Sequence, residues 1–99
     1  MVRMDALTLR VHPTGDLTIY QVEEVTKEIS ALLVSAEEVI VDLGETDKID
    51  TAGFQLLVSL QKSCIATNKK FEITSMGDSV ENFMILFGYE WDFEHKGER

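Results

Sequence analysis

Basic residues are scarce in this chain. Against 18 Asp and Glu, its 99 residues include 9 Lys and Arg, a formal net charge of -9. The resulting negative field repels phosphate backbones and anionic lipid surfaces, so nucleic-acid binding and direct membrane binding are not expected. Long apolar runs are missing as well. Nothing approaches the roughly 20 residues of a membrane-spanning helix, and the opening MVRMDALTLR lacks the apolar stretch of a secretion signal. A cytoplasmic protein is expected. Cysteine occurs once, as Cys64 within an apolar helical pattern, which leaves no disulfide partner in the chain and no neighbouring metal ligand. A buried structural thiol is the expectation.

The residues that catalysis would require are equally sparse. There is no Gly-x-Ser-x-Gly elbow for a nucleophilic serine, and no lysine follows isolated Gly44 or Gly53 at phosphate-loop spacing. His12 falls in a turn and His95 in a polar tail, neither with a second ligand at helical spacing, so both read as solvated side chains. Asp42, Asp47 and Asp50 lack the repeated spacing of a cation-binding loop. The chain is accordingly read as a non-enzyme with no metal and no cofactor.

A composition of 44% hydrophobic and 27% charged residues is that of one globular domain, taken as residues 1–99. Leu7, Leu9 and Val11 alternate with Thr8 and Arg10 in the period of a half-buried strand. The cluster Pro13, Thr14, Gly15, Asp16 then predicts a turn, with Leu17 to Ile19 returning as an antiparallel partner. Val22, Val25, Ile29, Leu32, Leu33 and Ala36 form the stripe of an amphipathic helix whose wet side carries Glu23, Glu24, Lys27 and Glu28. VIVDL predicts a central strand covered on both faces. Gly44 to Asp50 reads as a loop, Phe54 to Ile65 as a second helix closed by Thr67, Asn68, Lys69 and Lys70, and Phe71 to Ile73 as a last strand. Val80, Phe83, Met84 and Phe87 predict a third helix stopped by Gly88, with Trp91 and Phe93 folding back on the core. The order strand, strand, helix, strand, helix, strand, helix implies an α/β fold with a mixed sheet and packed helices.

One segment resists a purely structural reading. In Asp50-Thr51-Ala52-Gly53, the Thr51 hydroxyl is placed to cap the second helix, an interaction of about 1 kcal/mol. Two features do not follow from capping. Phe54 stands where a reciprocal capping box would place Glu or Gln, and Ala52-Gly53 leaves the first turn almost bare although glycine weakens a helix by about 1 kcal/mol relative to alanine. A bare first turn admits another protein to the hydroxyl, and a phosphate there would meet the positive end of the helix dipole.

These residues give the chain a resemblance to the STAS domain family, shared by bacterial anti-sigma factor antagonists and the cytoplasmic tails of sulfate transporters. Gly15-Asp16-Leu17-Thr18-Ile19-Tyr20 is similar to the family's segment entering the first helix. Val39 to Leu43 resembles its central strand, Ile49 to Phe54 its Ile-Asp-Ser-Ser-Gly-Leu signature, and Phe83 to Tyr89 its last helix. The resemblance implies a small mixed four-stranded sheet with about three helices and no activity of the domain's own. It also implies a transcription-regulating phosphoprotein whose Thr51 is phosphorylated by its partner, an anti-sigma factor that is itself a serine-threonine kinase. The unphosphorylated form binds that partner and the phosphorylated form releases it. The expected binding surface comprises Asp47, Asp50, Thr51, Ala52, Gly53 and Phe54. Asp50 orients the loop, Gly53 permits close approach, and Phe54 is either a contact or a core residue. Asp-Thr-Ala-Gly is similar, too, to STAS subunits of a lipid-transport ABC complex, where the partner is an ATPase and no phosphorylation is needed, and to STAS modules of chemotaxis arrays.

Overall fold

Alternation of apolar and polar residues places two short strands at the start of the chain. In the computed structural model, which describes residues 1–86, β1 (Val2–Asp5) pairs antiparallel with β2 (Thr8–Val11). The tight turn between them puts Ala6 in the left-handed region at φ 58°. A hairpin opens the domain, but not the expected one. Gly15–Leu17 (β3) does not return beside β2; it pairs in parallel with Thr46–Ile49 (β5), inside what the sequence reads as a loop. The Thr46 hydroxyl donates to the Pro13 carbonyl at 2.9 Å and is buried, which ties the turn to this small second sheet. Leu7, assigned inward, lies at the hairpin turn and is half exposed.

The first helix, α1 (Ile19–Leu33), begins earlier than its apolar stripe suggests. Thr18 is its N-cap. The Gln21 side chain returns to the Thr18 amide at 2.9 Å and the Thr18 hydroxyl accepts from Tyr20 N, a capping box that pulls Ile19 and Tyr20 out of any strand. Ala36 lies beyond the helix but stays buried. Then follow β4 (Glu38–Leu43), α2 (Thr51–Ala66), β6 (Lys70–Met76) and α3 (Asp78–Leu86). The main sheet has the order β1-β2-β4-β6, with β2, β4 and β6 mutually parallel, so it is mixed and four-stranded as expected.

Every second residue of the central strands is buried. Leu9, Val11, Val39, Val41 and Ile73 meet Val25 and Ile29 of α1 and Leu57, Leu60 and Cys64 of α2. Burying each leucine contributes about 1.5 to 3 kcal/mol. Cys64 is fully enclosed, and burial pushes its thiol above the usual range. Ile65, near the end of α2, faces solvent. The Lys69 ammonium, just past the end of α2, donates to the Ala36 carbonyl at 2.6 Å. Phe87, Gly88, Trp91, Phe93 and His95 fall outside the described residues. No described helix is long and apolar enough to cross a membrane.

Candidate functional site

The two parallel strands of the small sheet end where two helices begin. Leu17 leads through Thr18 into α1, and Ile49 leads through Asp50 into α2, with Leu17 opposite Ile49 in the register. This adjacency brings both helix N-termini to one end of the molecule. Asp50 joins them. Its Oδ1 accepts from the Gly53 amide at 3.0 Å, and its Oδ2 accepts from the Ile19 amide, also at 3.0 Å. The residue that caps α2 is therefore Asp50 and not Thr51, which occupies the first helical position. An extended backbone at Asp50 (φ -124°, ψ -173°) aims its carboxylate back over the turn, whereas Thr51 is already helical. The Gly53 amide, ahead of those of Ile19 and Ala52, holds the Asp50 carboxyl below its ordinary value against an opposing desolvation cost.

With Asp50 serving as the cap, the Thr51 side chain is released from that task and is exposed. Ala52 beside it is half-buried. Gly53 is buried, and the close approach that its lack of a side chain permits is to its own chain. A Cβ there would collide with the Leu17 carbonyl oxygen and lie 2.9 Å from Ile49 Cγ1. Phe54 is half-buried against the core and packs on Phe83 of α3, with ring centroids 6.3 Å apart and planes at 57°. Asp47 is exposed, while its carbonyl receives the Ser79 hydroxyl at 3.1 Å and fastens the start of α3 to β5. Of the six residues singled out from sequence, Thr51 and Asp47 are thus open to solvent, Ala52 and Phe54 are partly so, and Asp50 and Gly53 hold the site together.

The sequence reading missed two residues of this end. Ile19 is 64% exposed and Tyr20 89% exposed, in the first turn of α1, which Asp50 ties to the first turn of α2. Tyr20 was legible only as part of the segment entering a helix. A signal was present for Tyr20 alone, which falls on the side of the helix away from the stripe through Val22, Val25 and Ile29; Ile19, three residues before Val22, continues that spacing and gave none.

A second polar group lies at the end of β4. Asp42 Oδ1 accepts from the Ser75 hydroxyl at 2.6 Å and the Gly44 amide at 2.9 Å. These two bonds, the first the larger, hold its carboxyl below the ordinary range, with a smaller contribution from His12. An acceptor so engaged has a structural role at the strand end. Replacing Ser75 with alanine is expected to raise the Asp42 pKa toward the ordinary 3.8 and to cost about 1 kcal/mol. Carboxyl-carbon NMR titration of the two proteins reads the shift. Among the described residues no group of His, Cys, Asp and Glu is placed to hold a metal ion.

Comparisons with known proteins place the fold. A domain-family model described as "Mlab, STAS domain" matches residues 1–91. No curated protein sequence matches the chain. Among solved structures, the anti-sigma factor antagonist SpoIIAA in its unphosphorylated form superposes with a TM-score of 0.78 at 16% identity, covering 89% of this chain and 79% of its own. A Thermotoga maritima protein classed as an anti-sigma factor antagonist gives a TM-score of 0.78 at 16% identity, covering 95% and 88%. A sulfate transporter family protein from Wolinella succinogenes gives 0.71 at 14% identity, covering 88% and 71%. Likeness at such identities concerns the fold.

Proposed function

Because the chain belongs to the STAS domain family, we propose that it is a regulatory binding module without catalytic activity, of the anti-sigma factor antagonist type, switched by phosphorylation of Thr51. The partner in this reading is an anti-sigma factor that is also a serine-threonine kinase, and the setting is the bacterial cytoplasm. One observation carries it. Asp50 caps α2 and leaves the Thr51 hydroxyl exposed as the group presented at a helix start, beside exposed Ile19 and Tyr20.

The switch follows from charge. A phosphate on Thr51 adds about 1.5 to 2 negative charges at a position flanked by the Asp50 carboxylate. The N-terminal ends of α1 and α2 lie close enough to offset part of that charge within the domain. A partner seated over Ile19, Tyr20 and Thr51 has no such compensation once its surface is dehydrated, so the modified form dissociates. Asp47 and the half-buried edges of Ala52 and Phe54 complete the contact surface.

Thr51→Glu is expected to weaken capture of the kinase by about tenfold or more, while Thr51→Ala still binds but gains no phosphoryl mass on incubation with kinase and ATP. Pull-down followed by intact-mass measurement reads both results. Equal capture by the two variants, with no phosphoryl mass on the wild type, removes the proposal.

A second reading rests on Ile19 and Tyr20. An apolar pair exposed to this degree suits a lasting contact that needs no phosphorylation, as in a STAS subunit held on a transporter ATPase. Stoichiometric copurification with an ABC ATPase, and an unmodified Thr51, would select this alternative.

A further inference from the structure

The face of the main sheet opposite α1 and α2 carries a feature that neither partner reading uses. A cavity of about 200 Å³ there is lined by Met1, Val2, Arg3, Arg10, His12 and Thr14. Among the described residues no acidic one lines it, although the chain has twice as many acids as Lys and Arg, 18 against 9.

Arg3 and Arg10 stand directly opposite each other in the β1/β2 pair. Like charges in that position repel and destabilise a hairpin. Folding alone gives no reason for the pairing, and among the described residues its surroundings neutralise it only in part. Arg10 Nε lies 3.4 Å from Asp5 Oδ2 in an exposed contact, and its neighbour on β4 is Ile40. His12, on the same side of β2, has Nε2 at 3.1 Å from Glu45 Oε1 and 3.9 Å from Asp42 Oδ2, so those two acids face the imidazole.

We propose that this cavity is a binding site for a small phosphate-bearing dianion, held between the guanidinium groups of Arg3 and Arg10. A guanidinium offers a planar fork of donors that matches two phosphate oxygens, and two opposed forks match a charge near -2. Such a ligand also relieves the repulsion across the hairpin. The cavity is open to solvent on one side and smaller than the roughly 300 to 1,000 Å³ of pockets for drug-sized ligands. Inorganic phosphate or a short phosphomonoester fits within it.

Titration of isotopically labelled protein with inorganic phosphate at constant ionic strength tests the site. Saturable shifts are expected for the amides of Val2, Arg3, Arg10 and His12. Arg3→Gln and Arg10→Gln each weaken the affinity by about tenfold or more, the loss of a charged hydrogen-bond pair. Arg10→Lys, which keeps the charge but not the fork, weakens it less, and Thr51→Ala leaves it unchanged. Both arginines lie outside the core, and spectral dispersion verifies that each variant is folded. The proposal is overturned by equal shifts with chloride, or by unaltered phosphate affinity in folded Arg10→Gln. Saturation by a phosphoserine peptide but not by inorganic phosphate also overturns it, in favour of a peptide site.

Discussion

Gly53→Ala is expected to destabilise the protein by about 2 kcal/mol or more, the opposite of what helix propensity predicts. In a solvent-exposed helix the change would gain about 1 kcal/mol. Here the added methyl meets the Leu17 carbonyl oxygen, which belongs to β3 and is fixed by the parallel pairing of Leu17 with Ile49. A flexible side chain could move aside; strand backbone cannot. Overpacking at such a site costs about 3 kcal/mol, the upper part of its usual range, and outweighs the propensity gain. The melting temperature should fall by about 8 to 16 °C for a domain of this size. Urea denaturation of the wild type and variant measures the difference. Stability equal to or above that of the wild type would mean that α2 does not start against β3 as described. Gly53→Val, larger and β-branched, should fall further.

Asp50→Ala is expected to cost about 2 kcal/mol by removing both the cap of α2, typically worth about 1 kcal/mol, and the bond to the Ile19 amide, about 1 kcal/mol. Asp50→Asn separates shape from charge, because asparagine is about as good a cap as aspartate. The pH dependence follows in sign from the lowered pKa. A carboxyl depressed in the folded state stabilises the protein above its ordinary value near 3.8, and that contribution disappears as pH falls through the folded value. The difference in stability between wild type and Asp50→Asn should therefore be constant from neutral pH down to about 4 and shrink below it. Denaturation of the pair at several pH values tests this, and a difference independent of pH down to the lowest value reached would refute the assignment. Since Asp50 ties α1 to α2, Asp50→Ala should also displace Ile19 and Tyr20 relative to Thr51 and weaken partner capture even though the hydroxyl remains.

Asp50 and Gly53 show why site residues read from sequence need their surroundings. Both belong to the segment that marks the site. Yet neither presents a free functional group to a partner, because Asp50 is occupied by two backbone amides and Gly53 by a strand carbonyl. Thr51 changes in the other direction. Its expected task as a helix cap belongs to its neighbour, and the exposure that follows is what makes it available. The capping pattern was ambiguous in sequence because aspartate and threonine are both good N-caps and stand side by side.

Much of the scaffold was legible because amphipathic period is a local property. The 3.6-residue stripe through Val25 and Ile29 records which side of α1 is apolar, and burial follows from that; the β-branched run Val39 to Val41 marked a strand but not its faces, since it reads as covered on both whereas only alternate residues are buried. The sequence by itself determined these elements, the mixed α/β class and the choice of candidate segment. Only the tertiary structure decided that Gly15–Leu17 pairs with Thr46–Ile49, that Asp50 reaches an amide 31 residues earlier, and that Ile19, Tyr20 and Thr51 share one end of the molecule. The reason is physical: a strand or cap carries the donors and acceptors for a bond but not the identity of its distant partner. That choice is made when helices and strands pack as a whole, and here it set two helix starts side by side and left one hydroxyl facing out.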